Sequence, residues 1–215
     1  MTIPGPARWE VLVMRRALAW TPVALVVAVL GTSVAVAAVG PTVPVRGSAG
    51  LCLTGPAAAA LEDADITMTA TAPASIDPAA PTCVRFPITH GKVSLPLEDG
   101  GAMLDGGLAF VREDKKVELD GFFGHLGNPR TTAKASINGT KKKQITFLRY
   151  AVDLEHFSVG ARRVAARNVR TVLADDGYAA FDKAFDGSPL RAGEDVFTVG
   201  ATTVFVLPEP HEVTW

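Results

Sequence analysis

From Cys83 onward, apolar residues recur at every second position, and that period leaves this chain little to form except strands. CVRFPITHGKVSL sets Val84, Phe86 and Ile88 on one face and Arg85 and Thr89 on the other, as a half-buried strand requires. Pro87 inside it predicts an edge strand or a bulged one, because proline cannot donate to a ladder. LAFVRE and KVELDGFF flank Glu113-Asp114-Lys115 and read as a hairpin. TTAKASI and KQITFLRYAVDL flank Asn138-Gly139, the dipeptide best suited to two consecutive positive φ angles. In the second of these, Ile145 and Phe147 share one face with Arg149, while Leu148, Tyr150 and Val152 share the other. A segment apolar on both faces predicts a central strand covered on each side. FSVGARRVAARNVRTVL continues as extended chain, and DVFTVGATTVFVL closes the series before Pro208.

Two short helices interrupt the pattern. LTGPAAAALEDA offers Thr54 as N-cap, Pro56 in the first turn and an alanine run to Leu61. LADDGYAAFDKAFDG offers Asp175 or Asp176 as cap, Tyr178, Phe181 and Phe185 at helical spacing, and Gly187 as the stop. The stretch 70–82, rich in alanine and proline, reads as a loop. The predicted fold is mainly β: an antiparallel sandwich or flattened barrel with two short α-helices, preceded by a signal-peptide helix.

That leader is the segment Met14 to Ala38. Arg15 and Arg16 precede an uncharged run from Ala17 to Val36, and Ala35-Val36-Ala37 forms a small-residue cleavage site. Residues 1–37 are therefore expected to be a signal peptide, with Met14 an alternative start and cleavage after Ala37, or next after Ala38. An uncleaved segment would anchor the same domain on the same side, since the positive flank stays in the cytoplasm. Residues 38–50 read as a linker, 51–207 as the β domain and 208–215 as a tail. The expected location is secreted, or the outer face of the cell envelope.

Cys52 and Cys83 are the two cysteines of the chain. Outside the cytoplasm an even pair is most simply a disulfide. A metal reading lacks the short C-x-x-C spacing and a second pair, so no metal is expected. Residues 1–37 hold three of the 21 basic residues and one of the 22 acidic ones, leaving 18 against 21. That mildly acidic balance argues against nucleic acid as a partner. Membrane contact is expected only through the N-terminal segment, if it is retained.

No motif declares a chemistry. Gly-x-Ser-x-Gly, His-Glu-x-x-His and a Walker loop are all missing, and Glu98, Asp99 and Asp105 lack the spacing of a calcium loop. Asp175-Asp176 suit a helix start. No catalytic residue is assigned and no enzyme is expected. Lys141, Lys142 and Lys143 follow the Asn138-Gly139 turn. With Lys134, Arg130 and Arg149 they form a candidate face for an anionic wall polymer or phosphate, or else charge that protects a sheet edge.

Phe86-Pro87-Ile88-Thr89, Gly106-Gly107-Leu108-Ala109-Phe110, Ala179-Ala180-Phe181-Asp182 and Leu190-Arg191-Ala192-Gly193 resemble, in this order, secreted actinobacterial domains related to the HtaA type. The resemblance spans most of 51–207 and implies the fold and a cell-surface setting. It also implies haem, which such domains hold through an early tyrosine with a histidine nearby. This chain has no tyrosine before Tyr150, and Leu104-Asp105-Gly106-Gly107-Leu108 lacks the histidine of the family pattern. Of the histidines His90, His125, His156 and His211, His125 lies between glycines in an expected loop. It joins Tyr150 as the pair of candidate haem ligands, because haem iron accepts either type. The bland alternatives are a loop histidine and a strand tyrosine. Met103 is a further soft donor. The expected function is non-enzymatic binding or structure in the envelope, with a cell-wall or surface component as the candidate partner and no cofactor. Haem capture or transport is the alternative.

Overall fold

The computed structural model describes residues 42–94 and 97–206. The leader, the cleavage residues Ala37 and Ala38, His211 and the tail lie outside them. The elements are β1 (Thr42–Leu53), α1 (Gly55–Asp63), β2 (Thr67–Thr71), β3 (Ser75–Asp77), β4 (Ala80–Ser94), β5 (Gly100–Arg112), β6 (Lys115–His125), β7 (Arg130–Ile137), β8 (Lys143–Tyr150), β9 (Phe157–Val159), β10 (Arg163–Leu173), α2 (Asp175–Phe185) and β11 (Asp195–Phe205).

Every pairing is antiparallel, and β1, β4, β5, β6, β7, β8, β10 and β11 hydrogen-bond in that order until β11 returns to β1. Of the two expected architectures the chain thus adopts the barrel, of eight strands. Strands β2, β3 and β9 add to β5, β4 and β10 outside the ring. At this strand number side chains from the wall nearly fill the interior. Phe86, Phe122, Phe147 and Phe197 come from every second strand of the ring and meet in a layer, with successive centroids 5.4, 6.0 and 6.1 Å apart. All four are fully buried, each contributing roughly 2 kcal/mol by transfer from water.

Helix α2 packs on β6, β7 and β8 and sends Phe181 onto Phe110 of β5 at 4.8 Å. Its N-cap is Ala174, one residue before the expected aspartates. Asp175 and Asp176 instead occupy the first turn, and Asp176 Oδ2 accepts the Thr146 N–H at 3.1 Å. In α1 the expected cap holds: Thr54 Oγ1 accepts from Ala57 N–H at 3.4 Å and donates to the Asp195 carbonyl at 2.7 Å.

Two segments read as irregular are strands. Residues 42–50, expected as linker, form most of β1 and sit between β11 and β4, with Val45 and Ala49 buried. Gly47 there serves close approach: a Cβ on it would lie 2.0 Å from the Thr202 carbonyl oxygen. The 70–82 stretch holds the end of β2, all of β3 and the start of β4. Strand β4 is no edge. Its Pro87 opposes Ser48 of β1, and on the other side it falls between Arg85, the last β4 residue paired with β3, and Ile88, the first paired with β5. The missing N–H thus costs no ladder bond on that side, and a register break follows between Ile88 and His90. Strand β8 is central as expected, but through a bulge. Thr131 opposes Leu148 while Thr132 opposes Thr146, so Phe147 and Leu148 both reach the interior.

The disulfide joins Cys52 and Cys83, directly opposed on β1 and β4. Asn138 and Gly139 form the turn between β7 and β8 with φ of 48° and 76°. Among the described residues no helix is long and apolar enough to cross a membrane.

Candidate functional site

The barrel holds a cavity of about 140 Å³ between main-core residues such as Leu51, Ile88 and Leu148 and a second apolar cluster of Val45, Val93, Leu97 and Val164. Its lining is apolar apart from Thr131, Tyr150 and Thr203. That volume suits a few methyl groups and falls below the roughly 300–1,000 Å³ of drug-sized ligand pockets. A tetrapyrrole does not fit inside.

Tyr150 faces this lumen. Its hydroxyl donates to the His125 carbonyl at 2.6 Å, and burial raises its pKa to about 12 despite the nearby Arg130. The phenol is therefore neutral at physiological pH. His125 ends β6 rather than lying in a loop, and its imidazole is on the outside. Gly124 beside it faces inward, where an added Cβ would come 3.6 Å from the Tyr150 hydroxyl. The two candidate ligands are thus brought to opposite sides of one wall and cannot share an iron. They do not fit haem as a pair.

The outside of the same wall is ordered in two rows, because directly opposed residues of antiparallel strands project to one face. One row runs Lys92, Gly101, His125, Arg130, Arg149 across β4 to β8. The next runs His90, Met103, Phe123, Thr132, Thr146. Gly101 contributes no side chain, so its neighbours surround a groove of about 600 Å³ with His90, Met103, Phe123, His125, Lys92 and Arg46 on its walls. Met103 is 40% exposed, and Phe123 stands edge-on to His125 with centroids 4.6 Å apart. Partial burial, with Arg130 beside it, lowers the His125 pKa, so the ring is neutral at pH 7. Its Nε2 lies 3.3 Å from Thr132 Oγ1.

His90 is positioned more strictly. Thr89 Oγ1 donates its one proton to Asp105, and His90 Nδ1 lies 2.8 Å from the same oxygen. The imidazole must then donate through Nδ1, which leaves the Nε2 lone pair free in the neutral ring. A hydrogen bond to one ring nitrogen that fixes the tautomer is a common support for metal ligation through the other, and here Thr89 supplies it, held by Asp105. Reading the sequence missed His90. The signal that finds it is the cross-strand register, which places it beside Met103.

The lysine tip is less available than expected. Lys142 is bonded to Asp120, and that pairing raises its pKa. Lys141 and Lys143 remain exposed. A broader depression of about 990 Å³ lies between α1 and residues 189–195, crossed by the Arg170–Asp195 ion pair at 3.3 Å.

No family model matches the chain, and no curated protein matches it significantly. Among solved structures, the C-terminal domain of HtaA from Corynebacterium glutamicum is similar with a TM-score of 0.55 at 13% identity, over 76% of this chain and 99% of that chain. The N-terminal domain of the same protein gives 0.47 at 10% identity over the same shares. The likeness to the C-terminal domain is one of architecture, and in architecture this chain is an HtaA-like domain.

Proposed function

We propose that the chain is an exported, non-enzymatic binding domain of the cell envelope, and that its outer groove takes a flat, anionic, iron-bearing ligand of the haem type. The disulfide, which suits an oxidising exterior, and the leader read from the sequence support export. One observation carries the ligand class: the Asp105–Thr89–His90 contacts engage the imidazole through Nδ1 and leave Nε2 for a ligand, in a groove shared with Met103 and His125. Imidazole and thioether are both established donors to haem iron. Phe123 offers a flat apolar contact, and Lys92 and Arg46 are placed to meet carboxylates.

Haemin titrated into the purified chain tests this. The expected result is a shifted, saturable Soret band that His90→Ala abolishes, Met103→Ala weakens and Tyr150→Phe leaves intact. No shift, or one that survives His90→Ala, overturns the haem reading of this groove.

A further inference from the structure

Arg130 and Arg149 stand directly opposite one another on β7 and β8. Like charges so placed repel. Elsewhere on the surface, Arg85, Lys115, Lys116, Lys142, Arg170 and Arg191 each meet a carboxylate. Among the described residues no carboxylate oxygen lies within 4.0 Å of either Arg130 or Arg149. The two border a groove of about 460 Å³ with Asn128, Thr132 and Gln144 around them. The one acid on its wall, Asp176, turns Oδ2 to the Thr146 backbone N–H.

We propose that this groove binds a phosphate dianion, inorganic or carried on a phosphomonoester, between the two guanidiniums. The charge balance favours that group: two fixed positive charges face each other, and a phosphate near pH 7 carries about −1.5 to −2. Each guanidinium offers a planar fork to a pair of oxygens. The amides of Asn128 and Gln144 and the Thr132 hydroxyl supply further donors for the remaining oxygens. This site touches the haem-type groove where Thr132 meets His125 but uses neither His90 nor Met103, so the arginine variants and the His90 variant separate the two readings.

Calorimetric titration of the purified chain with inorganic phosphate, at fixed ionic strength and pH 7.5, is the test. The expected result is saturable binding that Arg130→Gln or Arg149→Gln weakens about tenfold or more, and that Lys142→Ala leaves unchanged. Acetate at equal ionic strength should not compete. Competition by glycerol phosphate assigns a phosphomonoester as the source, and binding of inorganic phosphate alone assigns the free ion. Wild-type affinity in both arginine variants, an equal loss in Lys142→Ala, or equal competition by acetate overturns the proposal. Thermal unfolding without phosphate adds an independent check. Arg149→Gln should unfold at the wild-type temperature or above it, because a repulsion is gone. A clearly lower midpoint means that the arginines serve the fold, and that also overturns it.

Discussion

The Tyr150 hydroxyl donates at 2.6 Å to the backbone carbonyl of His125 from inside the barrel, while the imidazole of His125 lies outside it. Burial of the phenol penalises its ionised form, so the fold is sensitive to alkali. A folded-state pKa of about 12 against an unfolded value near 10 means that the stabilisation is complete below pH 10. It is lost as pH rises from 10 through 12, by roughly 2–3 kcal/mol. Tyr150→Phe should flatten that alkaline limb in urea unfolding measured at pH 9, 10 and 11. A limb of unchanged slope assigns the sensitivity elsewhere.

The barrel wall is also clamped covalently. Cys52 and Cys83 close a separation of 31 residues. In the chain-entropy account, losing such a link costs about 3–4 kcal/mol. Reduced protein, or Cys52→Ala/Cys83→Ala, should show an unfolding free energy in urea lowered by that amount, with a lower midpoint.

Burial separates two neighbouring rings. Phe122 lies in the buried layer with Phe86 and Phe147, whereas Phe123 is half-buried on the outer face beside His125. Phe122→Ala should cost about 3–5 kcal/mol. Phe123→Ala should cost no more than about 1 kcal/mol, and its main effect should fall on haemin binding. Equal losses from the two would contradict the assigned faces.

The His90 relay has a spectroscopic signature. Nitrogen chemical shifts of the neutral ring should report the Nδ1–H form in the native chain. Thr89→Val removes the acceptor, and the ring should shift toward the Nε2–H form that free imidazole side chains prefer. A native spectrum already dominated by Nε2–H would remove the relay.

Much of the fold was readable from period and turn chemistry. The alternation in β4, the hairpin at Glu113, the Asn138-Gly139 turn, the Thr54 cap and the cysteine pair all appear where local rules place them. Strand β1 did not, because Pro44, Gly47, Ser48 and Gly50 read as loop. At Gly47 that smallness answers to the Thr202 backbone more than 150 residues away, and no local rule reports that. The site suffered in the same way. Tyr150 and His125 are near in space, yet a wall divides them, and side-chain direction around a bulged strand such as β8 does not follow simple parity. His90 and Met103 become partners only through the β4–β5 register, which itself slips between Ile88 and His90.

Strand β1 seals the ring against β11, the last strand among the described residues. Enclosure therefore cannot be completed until β11 has been made: β1 must wait, with the edge away from β4 open, for a strand far later in the chain. A chain passed across a membrane N-terminus first would face the same delay on the far side. Guarding that exposed edge against aggregation becomes a task for whatever meets the polypeptide there.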